Sequence, residues 1–504
     1  MIAGLGAPSA AAAECILDSN NNGVADAADT DGGATSVDAT ATACGTNAQA
    51  SATNTTAIGN TARAFQSGGT AVGALADALG TRSTSVGLDA NSDTNGTAIG
   101  AATSAATGST AVGFSATSSA ANGTSVGNTA TVFANATNGT AVGNQARAFD
   151  FGGTAVGALA DALGSRASAF GLDANADVNG TALGAATSAA TGSTAVGFSA
   201  TSAAANGTSV GNTATVFANA TNGTAIGNQA RAFDFGGTAV GALADALGSR
   251  ATSVGLDANS DVNGTALGAA TSAATGSVAV GFSATAPGLN ATAVGNTATA
   301  SGTTSTAIGD FAVASDEDAA AFGDKATASG FHSTAVGGEA LASGRGAQAF
   351  GWQSQATGDL SLASGHQAQA TATRATAVGK SSVASGQNAT ALGNIASASG
   401  DGSIAAGDAS AASALRASAF GQAANASGIA STALGHNTVA SSLASTAVGV
   451  SSQATAVGAT AIGRLSQATG VSSYAGGELA LASGANAVAK IGRASCRERV
   501  CLAV

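Results

Sequence analysis

The sequence is poor in the residues that usually fill a globular core. Aromatic residues make up 4% of the 504 residues and charged residues 9%, with one Trp, one Tyr and two Pro. Most of the 45% that counts as hydrophobic is alanine. Folding must offset backbone entropy of roughly 1 to 2 kcal/mol per residue, and large side chains normally supply much of that. We therefore expect the apolar surface to be buried in a fold with a narrow interior.

Basic residues are also scarce. The chain has 16 Lys and Arg against 28 Asp and Glu, a formal net charge of −12. Because binding to phosphates requires clustered Lys and Arg, this composition argues against nucleic acid as a partner. No run of 18 or more apolar residues is free of Gly, Ser and Thr, so no transmembrane helix is predicted.

The sequence also has no recognisable catalytic motif. His332, His366 and His436 are the only histidines, and each lies near a turn glycine or asparagine. No Ser/His/Asp or paired-carboxylate arrangement accompanies them, so we interpret them as exposed turn residues. The sequence predicts that the protein is not an enzyme.

A short repeat occupies most of the chain, and Ser333–Gly344 is a clean copy. It reads Ser/Thr-x-Ala-branched-Gly, two variable residues, then Ala-x-Ala-x-Gly. The glycine that closes the first run, here called the marker glycine, recurs every 14 residues from Gly295 to Gly477. From Gly59 to Gly227 the steps are 13, 14 or 16 residues and form blocks of 84. Near-identity between residues 144–227 and 228–284 indicates recent duplication.

Stacked strands explain this repeat better than helix or disorder. Two glycines per unit would each cost about 0.5 to 1 kcal/mol in a helix interior. Disorder would not place a branched residue before almost every marker glycine. In a strand, Thr334 and Val336 point to one face and Ala335 to the other. We predict an all-β parallel solenoid whose coils of about 14 residues contain two short strands and two turns.

Such a coil is too narrow to enclose a proper core. The face that carries the branched side chains therefore needs a partner surface. Identical chains are the simplest partner, because a repeated stripe is self-complementary under rotation. The sequence thus predicts a homo-oligomer.

The motif Ser-x-Ala-Val-Gly-x-x-Ala-x-Ala-x-Gly, with related copies at Ser305–Gly309 and Ser431–Gly435, resembles the head repeat of the trimeric autotransporter adhesins, the YadA-like family. The resemblance covers residues 55–489. It implies a left-handed parallel β-roll, a homotrimer, and a cell-surface adhesin head that attaches to host cells or extracellular matrix. The family anchors such heads in the Gram-negative outer membrane, and the expected stalk, neck and anchor strands are not recognised in this sequence.

The first 54 residues differ from the repeat. Residues 1–13 resemble the end of a signal peptide, although they lack a basic region. Within the acidic segment 14–54, alternate oxygen-bearing residues around a glycine match the spacing of a calcium loop. The alternatives are a calcium site and a solvated acidic linker. The candidate ligands are Asp18, Asn20, Asn22, Val24, Asp26 and Asp29.

Cysteines flank that segment. Cys15 and Cys44 would form a disulfide in an exported protein, whereas in a reducing compartment they would be two unpaired small residues. At the other end, residues 490–504 are basic and share neither period nor composition with the repeat. They resemble a translated cloning scar, and we exclude them from the fold prediction.

Three sets of residues depart from the plain repeat and are candidate sites. Acidic and amide residues alternate at Asp89, Asn91, Asp93 and Asn95 and recur at Asp173 and Asp257, which predicts either calcium ligands or a solvated turn. Phenylalanines occupy positions where ordinary units have Ser and a turn residue, and they are candidate ligand contacts or turn caps: Phe149, Phe151, Phe233 and Phe235. The 16-residue steps predict bulging loops at Val132–Ala136 and Val216–Ala220.

Two other functions remain open. Regular outward Ser and Thr ranks are typical of ice-binding solenoids, although these prefer Thr-x-Thr where this chain has Thr-Ala-Val. A filament-forming structural protein is the other alternative.

Overall fold

The computed structural model describes residues 32–490 and the two-residue strands Ala13–Glu14 and Ser495–Cys496. Every regular element in this part of the chain is a β-strand of two or three residues, which confirms the predicted all-β class. Nowhere between residues 32 and 490 is there a helix of the length and apolarity needed to span a membrane. The chain divides into two compact units between Ser253 and Val254.

Each coil of the N-terminal unit contributes one long and one short strand. Long strands pair in parallel with the long strands of adjacent coils, and short strands pair with short strands. The long strands are Thr42–Cys44, Thr56–Ile58, Thr70–Val72, Thr84–Val86, Thr97–Ile99, Thr110–Val112, Thr124–Val126, Thr140–Val142, Thr154–Val156, Ser168–Phe170, Thr181–Leu183, Thr194–Val196, Thr208–Val210, Thr224–Ile226 and Thr238–Val240, followed by Thr252–Val254. The short strands are Thr35–Ser36, Gln49–Ala50, Arg63–Ala64, Asp77–Ala78, Asn91–Ser92, Ser104–Ala105, Thr117–Ser118, Thr131–Val132, Arg147–Ala148, Asp161–Ala162, Asn175–Ala176, Ser188–Ala189, Thr201–Ser202, Thr215–Val216, Arg231–Ala232 and Asp245–Ala246.

The C-terminal unit repeats this arrangement with the same parallel pairings. Its long strands are Thr265–Leu267, Val278–Val280, Thr292–Val294, Thr306–Ile308, Ala320–Phe322, Thr334–Val336, Gln348–Phe350, Leu362–Ser364, Thr376–Val378, Thr390–Leu392, Ile404–Ala406, Ser418–Phe420, Thr432–Leu434, Thr446–Val448, Thr460–Ile462, Tyr474–Gly476 and the shorter Val488–Ala489. Its short strands are Asn259–Ser260, Ser272–Ala273, Thr285–Ala286, Thr299–Ala300, Val313–Ala314, Thr327–Ala328, Leu341–Ala342, Gln355–Ala356, Gln369–Ala370, Val383–Ala384, Ser397–Ala398, Ala411–Ala412, Asn425–Ala426, Val439–Ala440, Gln453–Ala454, Gln467–Ala468 and Leu481–Ala482.

Alanine fills the interior of each coil. Ala335, the middle residue of its long strand, is fully buried, as are Ala340 and Ala342. Thr334 is half-buried and Val336 is exposed, so the predicted alternation is confirmed. Each buried carbon contributes roughly 0.8 kcal/mol, and stability accumulates over many narrow coils instead of in one wide core.

The marker glycines stack directly on one another. Gly337 has a φ of 127°, and a Cβ there would lie 2.6 Å from the carbonyl oxygen of Gly351 in the next coil. Backbone atoms cannot move aside as a flexible side chain would. The marker position therefore requires glycine both for its conformation and for the close approach of adjacent coils.

Residues other than glycine also adopt positive φ in many turns, often two residues after the marker glycine. Thr61 has a φ of 52° and Leu75 a φ of 59°. The amide of Thr61 donates to the carbonyl of Thr46 at 2.7 Å, and that of Leu75 donates to the carbonyl of Asn60 at 2.9 Å. These hydrogen bonds between turns of adjacent coils offset the cost of the left-handed conformation.

The coil stack begins earlier than the boundary at residue 55 that the sequence predicted. Thr35–Ser36 and Gln49–Ala50 already pair in parallel, and Ala43 is fully buried. Gly45 adopts positive φ, as Gly59 does one coil later. A coil needs only small inward residues and a marker glycine, and residues 32–54 supply both.

The 16-residue coils are not simple bulges. Val132 and Ala136 are fully buried, so the predicted loop Val132–Ala136 is exposed only between them. The amide of Ala136 donates to the carbonyl of Phe133 at 2.9 Å, closing an additional turn. The wider coil leaves room for valine where other coils have Ala or Ser, and Val216 and Ala220 are buried in the same way.

Candidate functional site

Phe149 lies in a stacked cluster on the short-strand face. Its ring packs against Phe133 of the preceding coil, with centroids 4.4 Å apart and planes inclined by 13°. The Arg147 guanidinium lies 5.4 Å from the centroid of the Phe149 ring. That guanidinium also donates from Nε to Asp161 Oδ1 at 2.6 Å and from Nη2 to Oδ2. We call Phe133, Arg147, Phe149 and Asp161 the Arg–Phe cluster.

The electrostatics of the cluster follow from its burial. The Asp161 side chain is 9% exposed, whereas that of Arg147 is 48% exposed. The hydrogen bond to Asp161 raises the pKa of the Arg147 guanidinium above its ordinary value, against the opposing effect of partial burial. The cluster is therefore an ion pair in which the anion, Asp161, is the buried member. Its cation, Arg147, packs against the half-buried ring of Phe149.

The cluster recurs one 84-residue block later. Phe217 and Phe233 stack with centroids 4.4 Å apart, and Arg231 pairs with Asp245. An incomplete copy has Arg63 paired with Asp77, with the guanidinium 5.6 Å from the Phe65 centroid. Hydrogen bonds to Asp77 and Asp245 likewise raise the pKa of Arg63 and Arg231.

The two phenylalanines of each predicted pair have different environments. Phe149 and Phe233 belong to the stacked clusters, whereas Phe151 and Phe235 are 45% exposed in the following turn. The amide of Phe151 donates to the Asp150 carboxylate at 2.7 Å, which fixes the turn. A ligand contact by these residues stays a prediction, and the exposed pair is the better placed for it.

The alternating acidic and amide residues do not form a straight ladder. Asp89 and Asn95 lie in turns with φ of 56°, and only Asn91 is in a strand. Asn91 Nδ2 donates to the carbonyl of Asp89 at 3.2 Å. Between residues 32 and 490, no three His, Cys, Asp or Glu side chains converge as metal ligands.

The predicted calcium loop, Asp18 to Asp29, and Cys15 lie outside the described residues. Cys44 is disulfide-bonded. Strand Ala13–Glu14 pairs with the strand of Cys44, with Ala13 opposite Thr42 and Glu14 opposite Ala43. This is the register that the Cys15–Cys44 bridge requires, and the bridge stays a prediction.

The histidines lie in exposed turns, as predicted. His332 Nε2 lies 3.4 Å from an Asp318 carboxylate oxygen, and its ring packs 3.9 Å from that of Phe331. His366 packs against Trp352 with centroids 4.7 Å apart.

The outer face of the long strands carries an apolar column in each unit. Ile58 is opposite Val72, and Val72 is opposite Val86, each one coil further along. Within the described residues these side chains have no cover from other elements, and many of them are exposed. The exposed members are Ile58, Ile99, Phe170, Leu183 and Ile226 in the N-terminal unit and Val254, Leu267, Ile308, Phe322, Val336, Leu392, Phe420, Leu434 and Ile462 in the C-terminal unit.

Sequence reasoning missed the Arg–Asp pairs and both stacked phenylalanine pairs. The signal was a spacing of 14 between Arg63 and Asp77, Arg147 and Asp161, and Arg231 and Asp245. In a parallel solenoid this spacing places the two side chains side by side on adjacent coils.

The family comparison agrees with the coil geometry. Nine segments match a family model that comprises two copies of the YadA head domain repeat. They are residues 39–62, 218–244, 272–298, 300–326, 328–354, 356–382, 384–410, 412–438 and 440–466. Residues 63–217, with their irregular steps, lie between matches and nevertheless form the same coils. Comparison with curated proteins gives no match. The chain therefore carries YadA head domain repeats.

Proposed function

We propose that this chain is the adhesive head of a trimeric autotransporter adhesin, displayed on a bacterial cell surface. It attaches to host cells, extracellular matrix or other surfaces as a homotrimer, and it has no enzymatic activity. The observation that carries the proposal is the apolar column on the outer face of the long strands. The segments that match the YadA head domain repeat support the same assignment.

The column gives the chain a reason to associate with copies of itself. Burying the exposed third of one branched side chain contributes roughly 0.5 to 1 kcal/mol. The same contribution recurs on most coils of a unit. The total is comparable to the cost of association, about 4 to 15 kcal/mol.

Repetition also supplies the mode of adhesion. The Arg–Phe clusters, with Phe151 and Phe235 exposed beside them, recur within one unit, and a trimer would present three sets. Weak contacts that engage together give avidities about 10²- to 10⁴-fold above a single contact. Adhesion therefore requires no deep pocket.

An attachment assay tests this function. The purified chain is applied to immobilised extracellular-matrix proteins and to cultured epithelial cells. We expect retention that is lost when Ile308→Glu and Leu434→Glu place charges in the column. The matched control places the same charges on the short-strand face, as Val313→Glu and Val439→Glu, and should keep binding. A trimeric chain that binds none of these surfaces would contradict the proposal.

Ice binding is the alternative that one observation favours. Thr56, Thr70 and Thr84 lie opposite one another in successive long strands, so they form a regular outward rank. Thermal hysteresis in a solution of the purified chain would support this alternative. Its absence, together with surface attachment, would leave the adhesin.

A further inference from the structure

Two consecutive coils of the C-terminal unit share a motif that no other coil has. After marker glycines Gly351 and Gly365 the sequences read Trp-Gln-Ser-Gln and His-Gln-Ala-Gln. Glutamine thus occupies the turn position and the outward short-strand position in both coils. No other coil in the sequence has glutamine at both positions.

The turn glutamines form a hydrogen-bonded ladder. Gln367 Nε2 donates to Gln353 Oε1 at 2.9 Å, and Gln353 Nε2 donates to Glu339 Oε2 at 2.7 Å. The ladder ends on a carboxylate, which accepts without donating. It holds these amides in fixed orientations, so a ligand would meet a preorganised surface.

The strand glutamines are half-buried and uncommitted. Gln355 and Gln369 lie opposite each other on adjacent coils. Neither side-chain amide makes a hydrogen bond with another residue between 32 and 490. Each therefore offers an NH₂ donor and a carbonyl acceptor to a ligand.

Together these side chains line a shallow groove of about 530 Å³. Its lining comprises Glu339, Gln353, Gln355, Gln367, Gln369, Ser381 and Val383. The groove lies on the short-strand side, so the column on the long strands does not overlap it. A small ligand site has a typical volume of about 300 to 1,000 Å³.

We propose that this groove binds a neutral glycan. Side-chain amides pair well with sugar hydroxyls, because each hydroxyl both donates and accepts and each amide does the same. Glu339 would accept from one further hydroxyl. Trp352 directly precedes Gln353 in the same turn, where it is 45% exposed and packs against His366.

The lining disfavours other ligand classes. None of the seven residues is basic, so a sulfated or sialylated glycan would find no cation to pair with. A metal ion would find a single carboxylate, Glu339. A nonpolar peptide side chain would leave the amides of Gln355 and Gln369 unpaired, which costs free energy.

The test compares two double variants of the full chain. Gln355→Ala with Gln369→Ala removes the uncommitted amides. Gln453→Ala with Gln467→Ala is the matched control, because this pair has the same outward register on adjacent short strands but no glutamine in the preceding turns. Neither change removes a hydrogen bond within residues 32–490, so both variants should fold.

The probes are immobilised neutral oligosaccharides of glucose, galactose, mannose and N-acetylhexosamines, with sialylated and sulfated oligosaccharides and an extended peptide as comparisons. We expect at least one neutral oligosaccharide to bind, with affinity falling about tenfold or more in the groove variant, the loss of one to two hydrogen bonds. The control should stay within about twofold. Binding to none of the neutral probes, binding to the anionic or peptide probes alone, or equal losses in both variants would overturn the inference.

This inference names a ligand class for the proposed adhesive head and in that sense rests on it. The two fail separately. Surface attachment without glycan binding would remove the glycan site and leave the adhesin. Glycan binding by a chain that attaches to no surface would keep the glycan site and remove the adhesin function.

Discussion

The carboxylate of Asp161 lies one coil beyond Arg147 and accepts hydrogen bonds from two nitrogens of its guanidinium. Only 9% of the Asp161 side chain is exposed, against 48% of Arg147. The anion therefore depends on its partner, while the cation can reach water. This asymmetry ties adjacent coils together at the edge of an aromatic stack.

Replacing Arg147 and replacing Asp161 should lower local stability by different amounts. Arg147→Met leaves Asp161 buried without its cation and should lower local stability by about 2 to 3 kcal/mol, whereas Asp161→Asn should cost about 1 kcal/mol. Hydrogen exchange of the Phe149 amide, which donates to Ala162 on the next coil, measures the loss.

The exposed pair Arg464–Glu478 is the control for that experiment. Both of its side chains are more than half exposed. Arg464→Met should therefore change local stability by less than about 0.5 kcal/mol. Equal costs for Arg147→Met and Arg464→Met would contradict the role given to burial.

Substitution of Phe149 should affect stability, whereas substitution of Phe151 should affect surface attachment. Phe149→Ala removes a stacked, half-buried ring and should cost about 1 to 3 kcal/mol, measured by denaturant unfolding. Phe151→Ala removes an exposed ring and should change stability by less than about 0.5 kcal/mol while weakening surface attachment. Attachment that survives Phe151→Ala together with Phe235→Ala would exclude the exposed rings as contacts.

Marker glycines should be far less replaceable than turn glycines that have open space around them, such as Gly402. Gly337→Ala places a Cβ 2.6 Å from a carbonyl oxygen and should destabilise the C-terminal unit by about 3 kcal/mol or more. Gly402 has a φ of 65°, and its Cβ would meet nothing closer than Arg416 Cγ at 3.8 Å. Gly402→Ala should therefore cost only about 1 kcal/mol. Similar unfolding midpoints for the two variants would show that the glycine column is not under steric constraint.

Buried serines without partners are sites where alanine should stabilise the coil. Ser403 and Ser431 are fully buried, and their hydroxyls have no hydrogen-bond partner among the described residues. Alanine at either position removes an unpaired hydroxyl and should raise Tm by about 2 to 4 °C. Ser445 occupies the same coil position, but its hydroxyl donates to the carbonyl of Ser442 at 2.7 Å. Ser445→Ala should lower Tm, and a rise in its place would contradict this reasoning.

The sequence predicted the coil but not the contacts between coils. Alternation in Thr334–Val336 was sufficient to place Ala335 inside, because a strand has a side-chain period of two. The Arg147–Asp161 pair requires knowing which residues of adjacent coils lie opposite each other, so it becomes visible only once the strand register is known. Burial of Val132 was missed because two extra residues can either bulge outward or widen the coil, and composition does not distinguish these outcomes.

Sedimentation equilibrium at micromolar concentration tests whether the apolar column on the long strands holds three chains together. We expect the mass of three chains for the purified protein and of one chain for the variant with Ile308→Glu and Leu434→Glu. The control variant with Val313→Glu and Val439→Glu should keep the trimer mass. A single-chain mass for the unmodified protein would show that the column does not join chains.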